Sequence, residues 1–210
     1  MTLVPLKSLA EVSTPDSWWD GFALIDNVGN IRRRTLEDHH RMIAEIEVTD
    51  AVPEPVRQHF ENARNVYLHA FFSHRLLMVA ELQAHVAAEA ALLARRSQKA
   101  GAPRRSPGLK RLLQHAIKSG WIRDEGFAIH RRHEEARRAK VDMWNQIDSR
   151  FQYASPEDPR QYCKILAESF PSLRNSLAHG SNFFYPTVLG TFQITADLIN
   201  QLFASNHCAP

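Results

Sequence analysis

Residues 55–99 read PVRQHFENARNVYLHAFFSHRLLMVAELQAHVAAEAALLARRSQK. Within them Phe60, Ala63, Tyr67, Ala70, Phe71, Leu77, Ala80, Ala84, Ala87, Ala91 and Ala94 recur at steps of three and four, the period of one buried helical face. The spacing predicts one long or gently broken amphipathic helix, and with it an all-α fold. Its most apolar part, residues 76–94, is interrupted by Glu81, Gln83, His85 and Glu89, so it reads as a core helix rather than a membrane span.

Helical signals continue on the C-terminal side. Residues 101–108, with two Pro and the Arg104-Arg105 pair, form a loop, and Ser106-Pro107 is a good start for a helix over 109–119 that Gly120 ends. A charged helix follows over 124–152, with apolar points at Phe127, Val141, Trp144, Ile147 and Phe151. Ser155-Pro156 opens another, carrying Tyr162, Ile165 and Leu166. Ser169 ahead of Pro171 is expected to cap a short helix that Gly180 terminates, and 191–203 supplies the last one.

On the N-terminal side the pattern is weaker. Residues 1–30 are irregular, with Pro5, Pro15, the Trp18-Trp19 pair, and Phe22 to Ile25 ahead of a turn at Asn27-Val28-Gly29-Asn30, an arrangement that allows a small hairpin. Residues 32–47 fit a short helix on Leu36, Ile43 and Ile46, closed by Pro53 and Pro55. The organisation expected is an N-terminal extension over 1–50, a helical bundle over 51–205, and a tail over 206–210. Trp18, Trp19 and Phe22 are expected to pin the extension to the core.

Composition limits the function classes. With 44% hydrophobic residues, 23% charged and only 8 Gly in 210 residues, the chain can bury a core and is not a low-complexity polymer. Cys163 and Cys208 form no CxxC pair, which supports neither a disulfide framework nor a thiolate zinc site and fits a cytoplasmic setting. The first ten residues hold no long apolar run of a leader. There is no Gly-rich phosphate loop and no nucleophile elbow, so kinase and hydrolase chemistry find no footing. The net charge of +3 is unevenly spread: residues 95–140 hold 14 Lys or Arg against 4 Asp or Glu, and the remainder holds 12 against 19. Such a stretch attracts a polyanion such as RNA, with Arg104, Arg105, Arg131 and Arg132 as candidate contacts, but a solvated helix face beside acidic neighbours explains it equally well.

Three Arg-x4-His pairs occur, Arg34 with His39, Arg64 with His69, and Arg174 with His179, where about one is expected by chance. Glu37 and Asp38 inside the first would repel a phosphate, and the second lies in the long helix, where His69 is expected to fill a core or groove position. The third stands in Leu173-Arg174-Asn175-Ser176-Leu177-Ala178-His179-Gly180. On a helix Asn175 and His179 share a face, whereas Arg174 lies about 140° around from His179.

This string resembles the signature of the HEPN superfamily, whose ribonuclease members share an Arg-x4-His motif, often with Asn after the Arg. Residues 86–95 are similar to the family's Glu-bearing central helix, and 109–122, ending Gly-Trp-Ile, resemble its connecting helix. The similarity spans roughly 60–203 and is strongest over 173–180. It implies an HEPN-like antiparallel helical bundle and a metal-independent endoribonuclease without cofactor, of the kind that serves as a toxin or defence effector. His179 would act as general base or acid on the 2′-hydroxyl, Arg174 would steady the phosphorane-like charge, and Asn175 would orient the His or the substrate. It further implies a homodimer whose two motifs face each other across a twofold axis, and leaves room for a protein partner such as an antitoxin.

Other readings stand beside this one. An alternative reads Arg174, Asn175 and His179 as a structural cluster in a non-catalytic dimerisation or partner-binding module. Glu89 reads as a structural partner for an Arg rather than a catalytic acid. The His130, His133 and Glu134 run, like His39-His40, reads as a solvated face rather than a metal site. A small-molecule or nucleotide sensor using the groove beside the His-rich long helix is a further alternative.

Overall fold

The structure, a computed structural model, describes residues 5–25, 28–100, 107–146, 158–180 and 188–204. A 3-10 turn, Ser17–Gly21, leads into an antiparallel pair of short strands, β1 (Ala23–Ile25) and β2 (Ile31–Arg33), in register Leu24 to Arg32. Everything after them is helical: α1 (Leu36–Ala44), α2 (Glu54–His69), α3 (Leu76–Ala100), α4 (Leu109–Lys118), α5 (Ala128–Asn145), α6 (Gln161–Ala178) and α7 (Val188–Phe203). A second 3-10 turn, Asp124–Gly126, precedes α5.

The stretch expected to form one gently broken helix is instead two, α2 and α3, with the chain reversing over residues 70–75. The physical cause lies in the N-terminal arm. Asp16 accepts hydrogen bonds from the His74 backbone and ring, its own N–H donates to the Phe71 carbonyl, and the Trp19 indole donates to the Ala70 carbonyl. Backbone groups that a continuous helix would use internally are satisfied from outside, so the turn is stable where the apolar period alone runs straight through.

Small residues let the helices approach closely. Ala80, Ala84, Ala87, Ala88 and Ala91 on α3 are fully buried, and Phe60, Leu113, Phe127, Phe192, Leu198 and Ile199 fill the space around them. Trp19 and Ile43 belong to the same core, with Trp18 and Phe22 packed against it, so this part of the N-terminal extension is pinned to the bundle, while Leu6 and Leu9 ahead of it are exposed. The pairs His85–Phe170 and Glu89–Arg174 place α3 and α6 side by side in the same sense, and Glu81–Thr191 places α7 against the start of α3. The bundle is therefore not antiparallel throughout.

Several helix ends are fixed by distant carboxylates and amides. Buried Asp124 accepts from the Tyr162 and Cys163 backbone N–H groups, capping α6, and Asp197 on α7 accepts from Ala128 at the start of α5. Asn200 bonds the backbone of Glu47 and Thr49, tying the α1–α2 connection to α7. The Asp124 and Asp197 bonds satisfy N–H groups that a helix start leaves without partners.

Other sequence expectations need correction. Residues 161–178 form one helix: Pro171 sits inside it, and the Ser169 hydroxyl donates back to the Ile165 carbonyl instead of capping a new start. Ile165 points outward, and so does Leu36 at the start of α1, whose buried face is Asp38, His39 and Ile43. The cap of α4 is Gly108, two residues past Ser106, and the charged segment 124–152 opens with a 3-10 turn before α5. Trp144 is exposed. Gly120 and Gly180 end their helices at φ +66° and +76°, a left-handed backbone that favours glycine. Asn27, Arg104, Arg105, Ile147, Phe151, Ser155, Pro156, Cys208 and the tail 206–210 lie outside the described residues.

Candidate functional site

The last turns of α6 carry the candidate residues. With its N-terminus held by Asp124 and its buried face by Cys163, Leu166, Ala167 and Phe170, α6 has little freedom to rotate. Arg174, half-buried, is thereby placed against α3, where its Nη2 stands 3.5 Å from a carboxylate oxygen of Glu89 and its Nη1 3.5 Å from the Asn175 side-chain oxygen. Both separations are at the long end for a hydrogen bond, so this is a loose ion pair in partial contact with water.

Arg174, Asn175 and Glu89 line a cavity of about 590 Å³ together with Pro171 and the first residues of α4, Gly108 to Arg111. Lys110 there is also paired with Glu168. His179 is not part of this lining. It is the C-terminal cap of α6, its backbone N–H donating to the Asn175 carbonyl, and its side chain is exposed one turn beyond Asn175. Asn175 and His179 thus share an outward face, while Arg174 is turned away toward α3, as the helical spacing requires.

The other Arg-x4-His pairs differ. His39 is fully buried, its Nε2 2.8 Å from the Tyr67 carbonyl and its ring stacked on Tyr67 at 4.4 Å, while Arg34 lies over the Trp19 ring. Burial holds the His39 imidazole down at about 4. Arg64 is paired with Glu61 and donates to the Ala44 carbonyl, and His69 is exposed rather than in a core or groove.

Arg131 and Arg132 are exposed on α5, the Arg131 guanidinium donating to the Glu125 carbonyl. His130 leans over the Tyr162 ring and His133 is exposed, and among the described residues no group of three or more His, Cys, Asp or Glu is arranged to hold a metal ion. A cavity of about 750 Å³ between α4 and α6 is lined by Lys118, Arg160 and Lys164 together with Asp158 and Glu168; Lys164 pairs with Asp158 there, and Glu168 pairs with Lys110. Among the described residues one helix, α3, is long and apolar enough to cross a membrane, and half of that window is buried in the core.

Two buried polar side chains on α3 carry no motif. Glu81 is buried, accepts from the Thr191 hydroxyl and is pushed up in pKa by burial. His85, one turn before Glu89, is fully buried against Phe170, and burial, reinforced by the Arg174 charge, holds it down at about 4. Their only sequence signal is a polar residue interrupting an otherwise apolar face.

Comparison of the chain with protein-family models, with curated proteins and with solved structures finds no match.

Proposed function

We propose that the chain is an HEPN-like, metal-independent endoribonuclease that works as a homodimer. The observation that carries this reading is the division of labour at the end of α6: His179 and Asn175 face solvent, while Arg174 is set in a cavity beside the basic start of α4. An exposed imidazole is available to a substrate hydroxyl, and a guanidinium anchored on one side can offer its remaining N–H groups to a phosphate.

In the proposed reaction the imidazole of His179 takes the proton of the ribose 2′-hydroxyl. The 2′-oxygen then attacks phosphorus, the 5′-oxygen of the next nucleotide leaves and takes a proton from an imidazolium, and a 2′,3′-cyclic phosphate remains. Arg174 balances the charge that gathers on the phosphoryl oxygens. Because Arg174 and His179 face different ways within one chain, a second copy facing the first supplies the opposing imidazole. Ile165 and Leu173, exposed at 57% and 37% on α6, provide apolar area for that contact. Exposed Arg131 and Arg132 would hold the RNA backbone. Such an enzyme acts in the cytoplasm and is restrained by a protein partner that covers His179, as an antitoxin would.

The same apolar face and the Glu89 partner of Arg174 also favour a second reading, a non-catalytic module that dimerises through α6. Incubation with a mixed RNA pool in EDTA separates the two. Cleavage by the wild type that leaves 2′,3′-cyclic ends and is lost in both His179→Ala and Arg174→Ala supports the enzyme. Cleavage that persists in His179→Ala, or a dimer without cleavage of any RNA in the pool, overturns it.

A further inference from the structure

The pairing of α3 with α6 brings two unpartnered groups to one place. His85 Nδ1 lies 2.8 Å from the Glu81 carbonyl, an acceptor only, so Nδ1 carries the proton and Nε2 presents a lone pair. That Nε2 is buried and has no hydrogen-bond partner among the described residues, and the same is true of Arg174 Nε, whose N–H is a donor. The register sets them near each other. His85 packs on Phe170 with ring centroids 4.1 Å apart, and one turn further along both helices Glu89 meets Arg174.

A buried acceptor left without a donor destabilises the fold, and so does a buried donor without an acceptor. Joining the two removes both penalties. It also gives the guanidinium a third point of attachment, on the side opposite its exposed Nη groups. The Glu89 contact, at 3.5 Å, is too long to fix the plane of the guanidinium by itself.

We infer that His85 is a positioning residue for Arg174: locked by Glu81 as the Nδ1–H tautomer, it accepts at Nε2 from one water molecule that in turn accepts from Arg174 Nε–H. Burial and the Arg174 charge both keep this imidazole neutral, so the acceptor persists through the physiological pH range. The positioning itself does not depend on RNA cleavage; its consequence for RNA binding rests on the function proposed above.

The test is nitrogen NMR of the uniformly 15N-labelled full chain. The expected result is a His85 ring in the Nδ1–H form, with an Nε2 resonance displaced by hydrogen bonding in the wild type and returned to the free-acceptor position in Arg174→Met. An Nε2–H tautomer, or an Nε2 resonance that Arg174→Met does not move, overturns the inference. A second arm measures binding of a 2′-O-methyl oligonucleotide pool, which cannot be cleaved. His85→Leu is expected to weaken binding about tenfold, while His85→Gln, whose side-chain oxygen accepts the same bond, keeps wild-type affinity. Equal binding by wild type and His85→Leu overturns the consequence for Arg174. If the wild type fails to bind the pool, the proposed RNA function fails, and the NMR result alone decides the role of His85.

Discussion

Arg34 and His39 stand at the same separation in the chain as Arg174 and His179, and the fold treats the two pairs in opposite ways. In the first, the histidine is fully buried, stacked on Tyr67 and bonded to its carbonyl, and the arginine lies over Trp19. In the second, the arginine is drawn toward α3 and the histidine is left in solvent. The difference comes from position within each helix. His39 lies on the first turns of α1, on the face that meets α2, whereas His179 is the cap beyond the last residue of α6, with no element packed over its ring among the described residues. A buried histidine serves the fold, and only an exposed one can meet a substrate.

The sharpest break of this comparison is catalytic. His179→Ala is expected to lower RNA cleavage by about 10²–10⁴-fold with an unchanged urea midpoint, whereas His69→Ala, at a pair of the same spacing, leaves cleavage unchanged. Gel assays of the two variants beside the wild type check this.

Stability should show the reverse order. His39→Ala removes a fully buried ring and its bond to the Tyr67 carbonyl, and is expected to cost about 4 kcal/mol in urea unfolding, by analogy with other buried aromatic truncations. His179→Ala is expected to fall within about 0.5 kcal/mol of wild type. Similar losses for both would mean that the exposed histidine is structural after all.

The pH dependence sharpens the contrast further. His39 and His85 sit at about 4 in the fold against 6.5 when unfolded, so the unfolded chain binds protons first as pH falls. Their contribution is fully present above about pH 6.5 and is lost as pH falls from there toward 4, by at most about 3 kcal/mol for each ring. Glu81, raised by burial, works in the opposite sense: protonation favours the fold, and that share is lost as pH rises through its folded value. Asp38, held low chiefly by Arg32, adds a loss below the ordinary carboxylate range. Urea midpoints measured from pH 7.5 to 4.5 should therefore decline, and decline less steeply in His39→Phe. A flat profile in the wild type would contradict the burial of the two rings.

The smallest effect is expected at Glu89. Its pair with Arg174 is long and partly solvated, so Glu89→Gln should change stability by less than about 1 kcal/mol. The same change frees the guanidinium for a phosphate, and RNA affinity at low salt should rise.

Much of the helical content was legible because apolar residues at three and four residue steps report a buried face wherever they occur. The hairpin, the C-terminal ends of α4 and α6 and most of the extent of α7 follow from local signals, with Gly120 and Gly180 as the helix stops. The reversal at 70–75 was not legible, because it depends on Asp16 and Trp19 reaching the chain more than fifty residues away. Nor was the continuity of α6 through Pro171. An interior proline loses one hydrogen bond and crowds the carbonyl four residues back, but packing of Cys163, Leu166, Ala167 and Phe170 on one side, with Asp124 at the helix start, keeps the segment in one helix. At the candidate site the motif residues were visible as residue types. Their orientations were not, and His85 was visible only as an interruption in a run of alanines and leucines.

What the sequence determined by itself is the helical class, since periodicity and helix stops are local, together with the fact that Arg174 and His179 must face different ways, since their separation on a helix fixes the angle between them. Tertiary structure alone decided that of three equally spaced Arg and His pairs one buries its imidazole at His39 while His69 and His179 stay open to solvent, and that His85 is the buried histidine on the helix that Arg174 meets. Burial and hydrogen-bond partners are properties of surfaces brought together from distant parts of the chain, and no local pattern contains them.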